Sequence, residues 1–256
     1  MVEPFVLKNV GSKFPAFEKI ESIQSFIDLC PKELDFRMID RNNRMIEWED
    51  EAPFLPLTPE DVANWSNGTS KNEILQKLDC KNIALYAAYQ YMHLKLSDCP
   101  GLLAICDWSC LGLGNDRKSD KTTLWFGTSG AYTPGHYDTY GCNVVAQLVG
   151  SKRWVLFPPH QTDLLSPTRQ PYEESSVFSR CSLRNFHKFP KLQVCLHFVS
   201  LFDFFFKLSL IFFLLRKPLP MKLFLKLVKF FLFLQNGGIL SHVQKCHFQS
   251  TLGSIW

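Results

Sequence analysis

The feature that most constrains the fold is a block of short strand patterns between residues 122 and 157. Apolar and aromatic side chains dominate three runs in this block, at Thr122–Gly127, Gly135–Leu148 and Lys152–Phe157. Such runs indicate β-strands when turn residues bound them, and Pro158-Pro159 ends the last one. The dipeptide Gly150-Ser151 between two of the runs predicts a two-residue hairpin. The block therefore predicts an antiparallel β core.

Helical patterns precede this block. Apolar residues recur at three- and four-residue spacing at Phe17, Ile20, Ile23, Phe26 and Ile27, which predicts a helix with one apolar face. A second helix is predicted to begin at Thr58-Pro59, where Thr58 is a good N-cap, and a third to cover Lys71–Leu78. Further strands are expected at Phe5–Leu7, Leu34–Ile39 and Leu85–Met92. Helices before a mostly β core predict an α+β, mainly β fold of the barrel or jelly-roll kind.

The last quarter of the chain, residues 192–256, has a different composition. It holds twelve of the 23 phenylalanines and seven Lys or Arg residues against one acid, Asp203. The excess of basic residues belongs to this segment, so the net charge of +4 does not indicate nucleic-acid binding by the main domain.

Three interpretations of this Phe/Leu/Lys-rich tail remain open. Val194–Leu215 is apolar enough to suggest a membrane-spanning helix, but His197, Asp203 and Lys207 interrupt it. Lysines at helical spacing within Leu219–Leu234 suggest a basic amphipathic surface helix. We favour a third interpretation, in which the tail is a translated intron or a mispredicted exon that begins near Gln193. Membrane contact through the tail is therefore not expected.

The nine cysteines include no CxxC pair and no zinc-like repeat. The N-terminal residues contain no continuous apolar core of signal-peptide length. These two features predict free thiols in a reducing compartment, which is the cytoplasm or the nucleus.

His136 and Asp138 are the first candidates for chemistry. Residues two apart in a strand point to the same face, so this pair can present an imidazole and a carboxylate side by side. With a second, distant histidine such a pair forms the facial triad of non-haem Fe(II) oxygenases. A lone histidine in a pair of this kind is nevertheless more often structural, so the pair needs support from its surroundings.

Three nearby residues could bind a 2-oxo acid. Lys152 could supply a positive charge, Thr133 a hydroxyl and Tyr86 a phenol from a neighbouring strand. Considered alone, Lys152 is more often a solvated residue at a turn, and Tyr86 more often packs in a core. The sequence pattern leaves open whether Lys152 faces the same way as His136, because a bulge at Thr139–Gly141 would reset the alternation.

One long segment makes the chain recognisable. The block LWFGTSGAYTPGHYDTYGCNVVAQLVGSKRWVLFPP, followed by PTRQPYEESSVFSR, resembles the JmjC (cupin-8) family over roughly residues 84–180. The resemblance implies a double-stranded β-helix, or jelly-roll, oxygenase that uses Fe(II) and 2-oxoglutarate. It implies that His136 and Asp138 bind the metal. It also implies that Thr133, Lys152, Asn143 and Tyr86 contact 2-oxoglutarate.

The resemblance ends before the family pattern is complete. The family carries a second iron-binding histidine in a late P-x-x-W-x-H strand, and none of the remaining candidates, His187, His197, His242 and His247, has that context. We therefore expect a barrel that is incomplete at its C-terminus and a truncated, impaired enzyme. The expected organisation is an α/β flank at residues 1–83, a partial JmjC core at 84–191 and an aberrant tail at 192–256.

A non-catalytic function is the alternative. In this interpretation the domain needs no metal and binds a protein, for which the resemblance suggests a small heat-shock protein. A protein substrate is the partner expected for an enzyme, and nothing in the sequence favours nucleic acid.

Overall fold

The computed structural model describes residues 5–7, 13–41, 53–111, 115–116, 118–139, 142–157, 159–171, 174–181, 189–190, 209–214, 231–235, 239–242 and 249–253. Its strands are β1 (Phe5–Leu7), β2 (Leu34–Asp40), β3 (Phe54–Leu57), β4 (Ile83–Tyr91), β5 (Thr122–Gly127), β6 (His136–Asp138), β7 (Cys142–Gln147), β8 (Arg153–Phe157), β9 (Pro167–Thr168), β10 (Ser176–Ser179), β11 (Ser209–Leu214), β12 (Phe231–Gln235), β13 (Ile239–His242) and β14 (Gln249–Gly253). Its helices are α1 (Ala16–Lys19), α2 (Ile23–Leu29), α3 (Pro59–Ser66), α4 (Glu73–Gln76), α5 (Met92–Lys95) and α6 (Pro100–Ile105). Short 3₁₀ turns cover Trp108–Leu111, Ser119–Lys121 and Pro159–Leu165.

The described strands form two sheets. The larger sheet has the order β1-β11-β7-β14-β13-β5-β4-β2-β3, and the smaller has the order β8-β12-β6-β10-β9. All pairings are antiparallel except those of β14 with β5 and β7. The predicted mainly β jelly-roll is confirmed by this arrangement of two sheets around a common interior.

Buried hydrophobic side chains form three layers in the fold. The largest lies between the helices and one face of the larger sheet, where Leu85, Phe126 and Val144 pack with Phe26 of α2. The opposite face of that sheet contributes a second layer, which also includes Trp154 and Leu156 of β8. Because β8 belongs to the smaller sheet, this second layer is the interior between the two sheets. We call it the inter-sheet interior.

The third layer covers the outer face of the smaller sheet. It consists of Val155, Phe157, Leu165 and Cys181, with Tyr137 packed against them. Strand alternation therefore assigns Tyr137 to the outer face, and it assigns His136 and Asp138 to the inter-sheet interior.

Several predicted elements are present with modified bounds. The cap at Thr58 is confirmed, because its hydroxyl accepts a hydrogen bond from the Asp61 amide at 3.0 Å and the Asp61 carboxylate caps the Thr58 amide in return. The apolar pattern from Phe17 to Ile27 forms two helices rather than one. Ser22 starts the second of these, α2, as a new N-cap.

The predicted hairpin at Gly150-Ser151 is wrong. Strand β7 pairs with β11 and β14 in the larger sheet, whereas β8 pairs with β12 in the smaller one. The chain therefore crosses between sheets at this point, and Gly150 supplies the left-handed backbone there with a φ of +75°. The predicted single run Gly135–Leu148 is divided in the same way, because β6 belongs to the smaller sheet and β7 to the larger.

The tail contributes the strands β11 to β14, which pair with strands of both sheets. Most of the helix suggested over Leu219–Leu234 lies outside the described residues, and its described end belongs to β12. Among the described residues, no helix has the length and apolar character needed to cross a bilayer.

Candidate functional site

His136 and Asp138 lie side by side in the inter-sheet interior. Both are buried, and His136 Nε2 lies 3.9 Å from Asp138 Oδ1. Two ligand atoms at about 2.1 Å from one ion and at right angles to each other are about 3 Å apart. The remaining gap of about 1 Å is within reach of a small side-chain rotation. A small movement of either side chain would therefore bring the pair to the spacing that a shared metal ion requires.

A backbone carbonyl fixes the tautomer of His136. Its Nδ1 lies 2.9 Å from the carbonyl oxygen of Pro134, and a carbonyl can only accept a hydrogen bond. Nδ1 therefore carries the proton, and in the neutral ring the lone pair is on Nε2, which lies 3.9 Å from Asp138 Oδ1. Metal-binding histidines are commonly oriented by such a contact.

Lys152, Tyr86 and Thr133 form a second polar group in the same interior. The Lys152 ammonium donates to Tyr86 Oη at 2.7 Å, and Tyr86 Oη lies 3.2 Å from Thr133 Oγ1. Each of the three residues is only 1% exposed. The structure thus brings together a cation and two hydroxyls, a set that suits a carboxylate.

Aromatic rings surround this cation. Lys152 Nζ lies 5.0 Å from the ring centre of Tyr86, 5.6 Å from Trp125 and 6.0 Å from Trp154. The negative faces of aromatic rings favour a positive charge, so these rings offset part of the cost of burying the ammonium.

A bulge in β4 adds Tyr89 to this aromatic wall. The pairing of β4 with β5 shifts register between Ala87 and Gln90, and Tyr89 has a φ of +53°. Regular alternation would direct Tyr89 away from the interior, but the bulge places its ring 4.2 Å from that of Trp125.

The other predicted residues are less fully described. Asn143 lies on β7, and its side chain is outside the described part of the structure. His187, His197 and His247 also lie outside it, as does the side chain of His242 at the end of β13. In the described residues, no cluster of three His, Cys, Asp or Glu side chains could hold a metal ion.

Sequence reasoning missed two contacts of the site. Ser176 of β10 donates a hydrogen bond to Asp138 Oδ1 at 3.1 Å. This serine lies within the segment that resembles the family, but it was not predicted as a site residue. Gly127 faces the Tyr86 ring so closely that an added Cβ would lie 2.8 Å from Tyr86 Cδ2. The register of β10 and the packing of β4 on β5 decide these contacts, and neither can be read from local pattern.

Two facing sheets with a polar, partly charged interior place the protein in the cupin class. The model of the Cupin-like domain family matches residues 2–201, more than three quarters of the chain. The chain belongs to this family, and the resemblance to the JmjC (cupin-8) family is confirmed.

Individual relatives agree with this assignment. The chain is 36% identical over 193 residues to the HSPB1-associated protein 1 homolog of Danio rerio. The aligned region covers 73% of this chain and 42% of that protein. It is 37% identical over 198 residues to HSPB1-associated protein 1 of Homo sapiens, covering 75% of this chain and 40% of the human protein. The rat protein of the same name is 39% identical over 166 residues, covering 63% and 34%. The chain thus spans about two fifths of the length of these relatives, or less.

Proposed function

We propose that the inter-sheet interior binds Fe(II) and 2-oxoglutarate and that the domain is of the JmjC dioxygenase lineage acting on a protein, with impaired activity in this chain because the described residues supply no second histidine ligand. The observation that carries this proposal is the buried His136–Asp138 pair, whose imidazole is fixed with its Nε2 lone pair beside the carboxylate. His136 Nε2 and a carboxylate oxygen of Asp138 would hold the metal. When bound, the ferrous ion and the keto acid supply oxygen activation.

The remaining residues suit the keto acid. The Lys152 ammonium would bind its distal carboxylate, with Thr133 and Tyr86 contributing hydroxyls. The aromatic wall would keep water away from this ion pair and so strengthen it. Asn143 is proposed beside the keto acid on the family resemblance alone.

Metal binding tests the first half of the proposal. Mn²⁺ titrated into the protein and followed by electron paramagnetic resonance should bind at one site. His136→Ala and Asp138→Ala should each weaken this binding at least about tenfold, because each removes a ligand. His93→Ala is the matched control, since His93 is exposed on α5. Equal Mn²⁺ affinity in all four proteins would contradict the proposal.

Keto-acid binding tests the second half. We expect Lys152→Met to weaken 2-oxoglutarate binding about 10- to 100-fold in calorimetric titrations, which corresponds to one lost hydrogen bond to a charged group. Lys95→Met is the control, because Lys95 pairs with Asp35 at the surface. Iron-dependent conversion of 2-oxoglutarate to succinate, lost in His136→Ala, would support catalysis. Undiminished turnover in His136→Ala would exclude this site as its source.

The names of the relatives favour a second candidate function. They are called HSPB1-associated protein 1, so the domain could bind a small heat-shock protein without using a metal. A pull-down with purified HSPB1 would test this. Capture that is unaffected by His136→Ala and Asp138→Ala would support a non-catalytic binding module, and absence of capture would count against it.

A further inference from the structure

Strand β10 lies directly beside the two proposed metal ligands. In the antiparallel register Ser176 faces Asp138 and Phe178 faces His136. Residues directly opposite on paired strands project to the same face, so both β10 side chains enter the inter-sheet interior. Ser176 is 5% exposed and Phe178 is 6% exposed.

Each β10 residue touches its partner. Ser176 Oγ donates to Asp138 Oδ1 at 3.1 Å, and the Phe178 ring centre is 5.6 Å from that of His136. Backbone hydrogen bonds extend this pairing at both ends, from the Ser179 amide to the Gly135 carbonyl and from the Thr139 amide to the Ser175 carbonyl. The serine hydroxyl is therefore held on a rigid support.

We propose that Ser176 is a positioning residue, which sets the orientation of the Asp138 carboxylate for a divalent cation shared with His136. This inference rests on the proposed function. An aspartate side chain can rotate about two bonds, so a contact that fixes its orientation determines which oxygen faces His136 Nε2. A carboxylate oxygen has two lone pairs, so Oδ1 can accept the serine hydroxyl and still face a cation. Hydrogen bonds that orient metal ligands typically alter metal affinity by 10- to 100-fold.

Ser179, on the same strand, is a suitable control because its buried hydroxyl has only a structural role. Ser179 is also buried, its hydroxyl donates to the Leu165 carbonyl at 2.6 Å, and it accepts from the Cys181 amide at 3.0 Å. These contacts support the backbone and involve neither proposed ligand. Loss of the Ser179 hydroxyl should therefore lower the melting temperature without changing metal affinity.

The test is titration of Mn²⁺ alone into the full chain, with the melting temperature measured for every variant. Ser176→Ala should weaken Mn²⁺ binding about tenfold or more. Ser179→Ala should bind Mn²⁺ as the unsubstituted chain does. Ser176→Thr and Ser176→Val form an isosteric pair that differs only in the hydroxyl, so the threonine variant should bind about tenfold more tightly than the valine variant.

The outcomes separate this inference from the proposed function. If Asp138→Ala loses Mn²⁺ binding but Ser176→Ala keeps it, or if Ser176→Thr and Ser176→Val bind equally, the role of Ser176 is overturned while the metal site stands. If Asp138→Ala still binds Mn²⁺ as before, the metal site itself is overturned and the role of Ser176 with it. The threonine–valine comparison decides the question even if Ser176→Ala does not fold.

Discussion

Alternate residues of β4 and β5 project to opposite faces of the larger sheet, and the two faces differ in composition. On one face Leu85, Leu124 and Phe126 pack beneath the helices in the largest hydrophobic cluster of the described residues. On the other face Tyr86 and Trp125 line the inter-sheet interior next to the buried Lys152 ammonium. Strand alternation thus lets one pair of strands supply a stable core and a polar site at once.

The comparison also shows why the site can be polar. Burial of a charge costs free energy, and the surrounding structure must be stable enough to offset that cost. The helix-covered layer provides this stability, since it is the largest hydrophobic cluster among the described residues. Substitutions on the helix-covered face should therefore change stability, and substitutions on the face of the inter-sheet interior should change binding.

The largest effect should come from Phe126→Ala on the helix-covered face. Phe126 is fully buried, and its ring centre is 5.5 Å from those of both Phe26 and Phe36. Truncation should lower the free energy of unfolding by about 3–5 kcal/mol, measured by urea denaturation. The fraction that remains folded should bind 2-oxoglutarate normally.

Tyr86→Phe is the counterpart on the other face. It keeps the ring but removes the hydroxyl that accepts from Lys152. We expect weaker 2-oxoglutarate binding and a loss of about 1.5–3 kcal/mol in the free energy of unfolding, because the hydroxyl accepts from a buried charged group. If Phe126→Ala weakened binding as much as Tyr86→Phe does, the division between the faces would be wrong.

An intermediate effect is expected for Gly127→Ala. The new methyl group would lie 2.8 Å from Tyr86 Cδ2 and 3.0 Å from Ala131 Cβ, so the tyrosine ring must move. Overpacking of this kind costs about 1–3 kcal/mol, and the displaced hydroxyl should also weaken 2-oxoglutarate binding in calorimetry.

Gly101→Ala is the matched control for Gly127→Ala. It lies on the helix-covered side, where the added Cβ would lie 3.3 Å from Leu29 Cδ2, the one contact it would make among the described residues. It should leave 2-oxoglutarate binding unchanged. Normal binding by Gly127→Ala would show that Tyr86 does not need its present position.

The last effect, which is small for each pH unit, is a pH dependence on the helix-covered side. Burial, assisted by the nearby Cys99, raises the pKa of the Cys30 thiol from 9.0 to about 12. Above pH 9 the unfolded chain loses this proton while the folded chain keeps it, so stability falls as pH rises towards 12. One such group contributes at most about 1.4 kcal/mol per pH unit.

Urea denaturation at several pH values from 8 to 11 would measure this contribution. Cys30→Ala should lose stability less steeply with rising pH than the unsubstituted chain does. Cys80→Ala, at a half-buried thiol, serves as the control and should retain the original slope. Identical slopes in all three proteins would show that Cys30 does not contribute.

Local pattern predicted much of the core and part of the site. The strands at residues 34–40, 83–91 and 122–127 and the cap at Thr58 were predictable, because alternation and capping depend on neighbours in sequence. The side-by-side placement of His136 and Asp138 follows from the same alternation. The hairpin prediction at Gly150-Ser151 was wrong because a Gly-Ser turn has the same local chemistry whether it joins two strands of one sheet or carries the chain to another.

The sequence by itself determined several strands of the two sheets, where the helix α3 begins, and that an imidazole and a carboxylate share one face of β6. These features depend on contacts a few residues apart. Only the tertiary structure decided that Lys152 turns inward to meet Tyr86, 66 positions away, and that Ser176 reaches Asp138, 38 positions away. Such contacts depend on the facing of two sheets and the register of distant strands, because strand alternation gives each side chain a face but does not specify its partner.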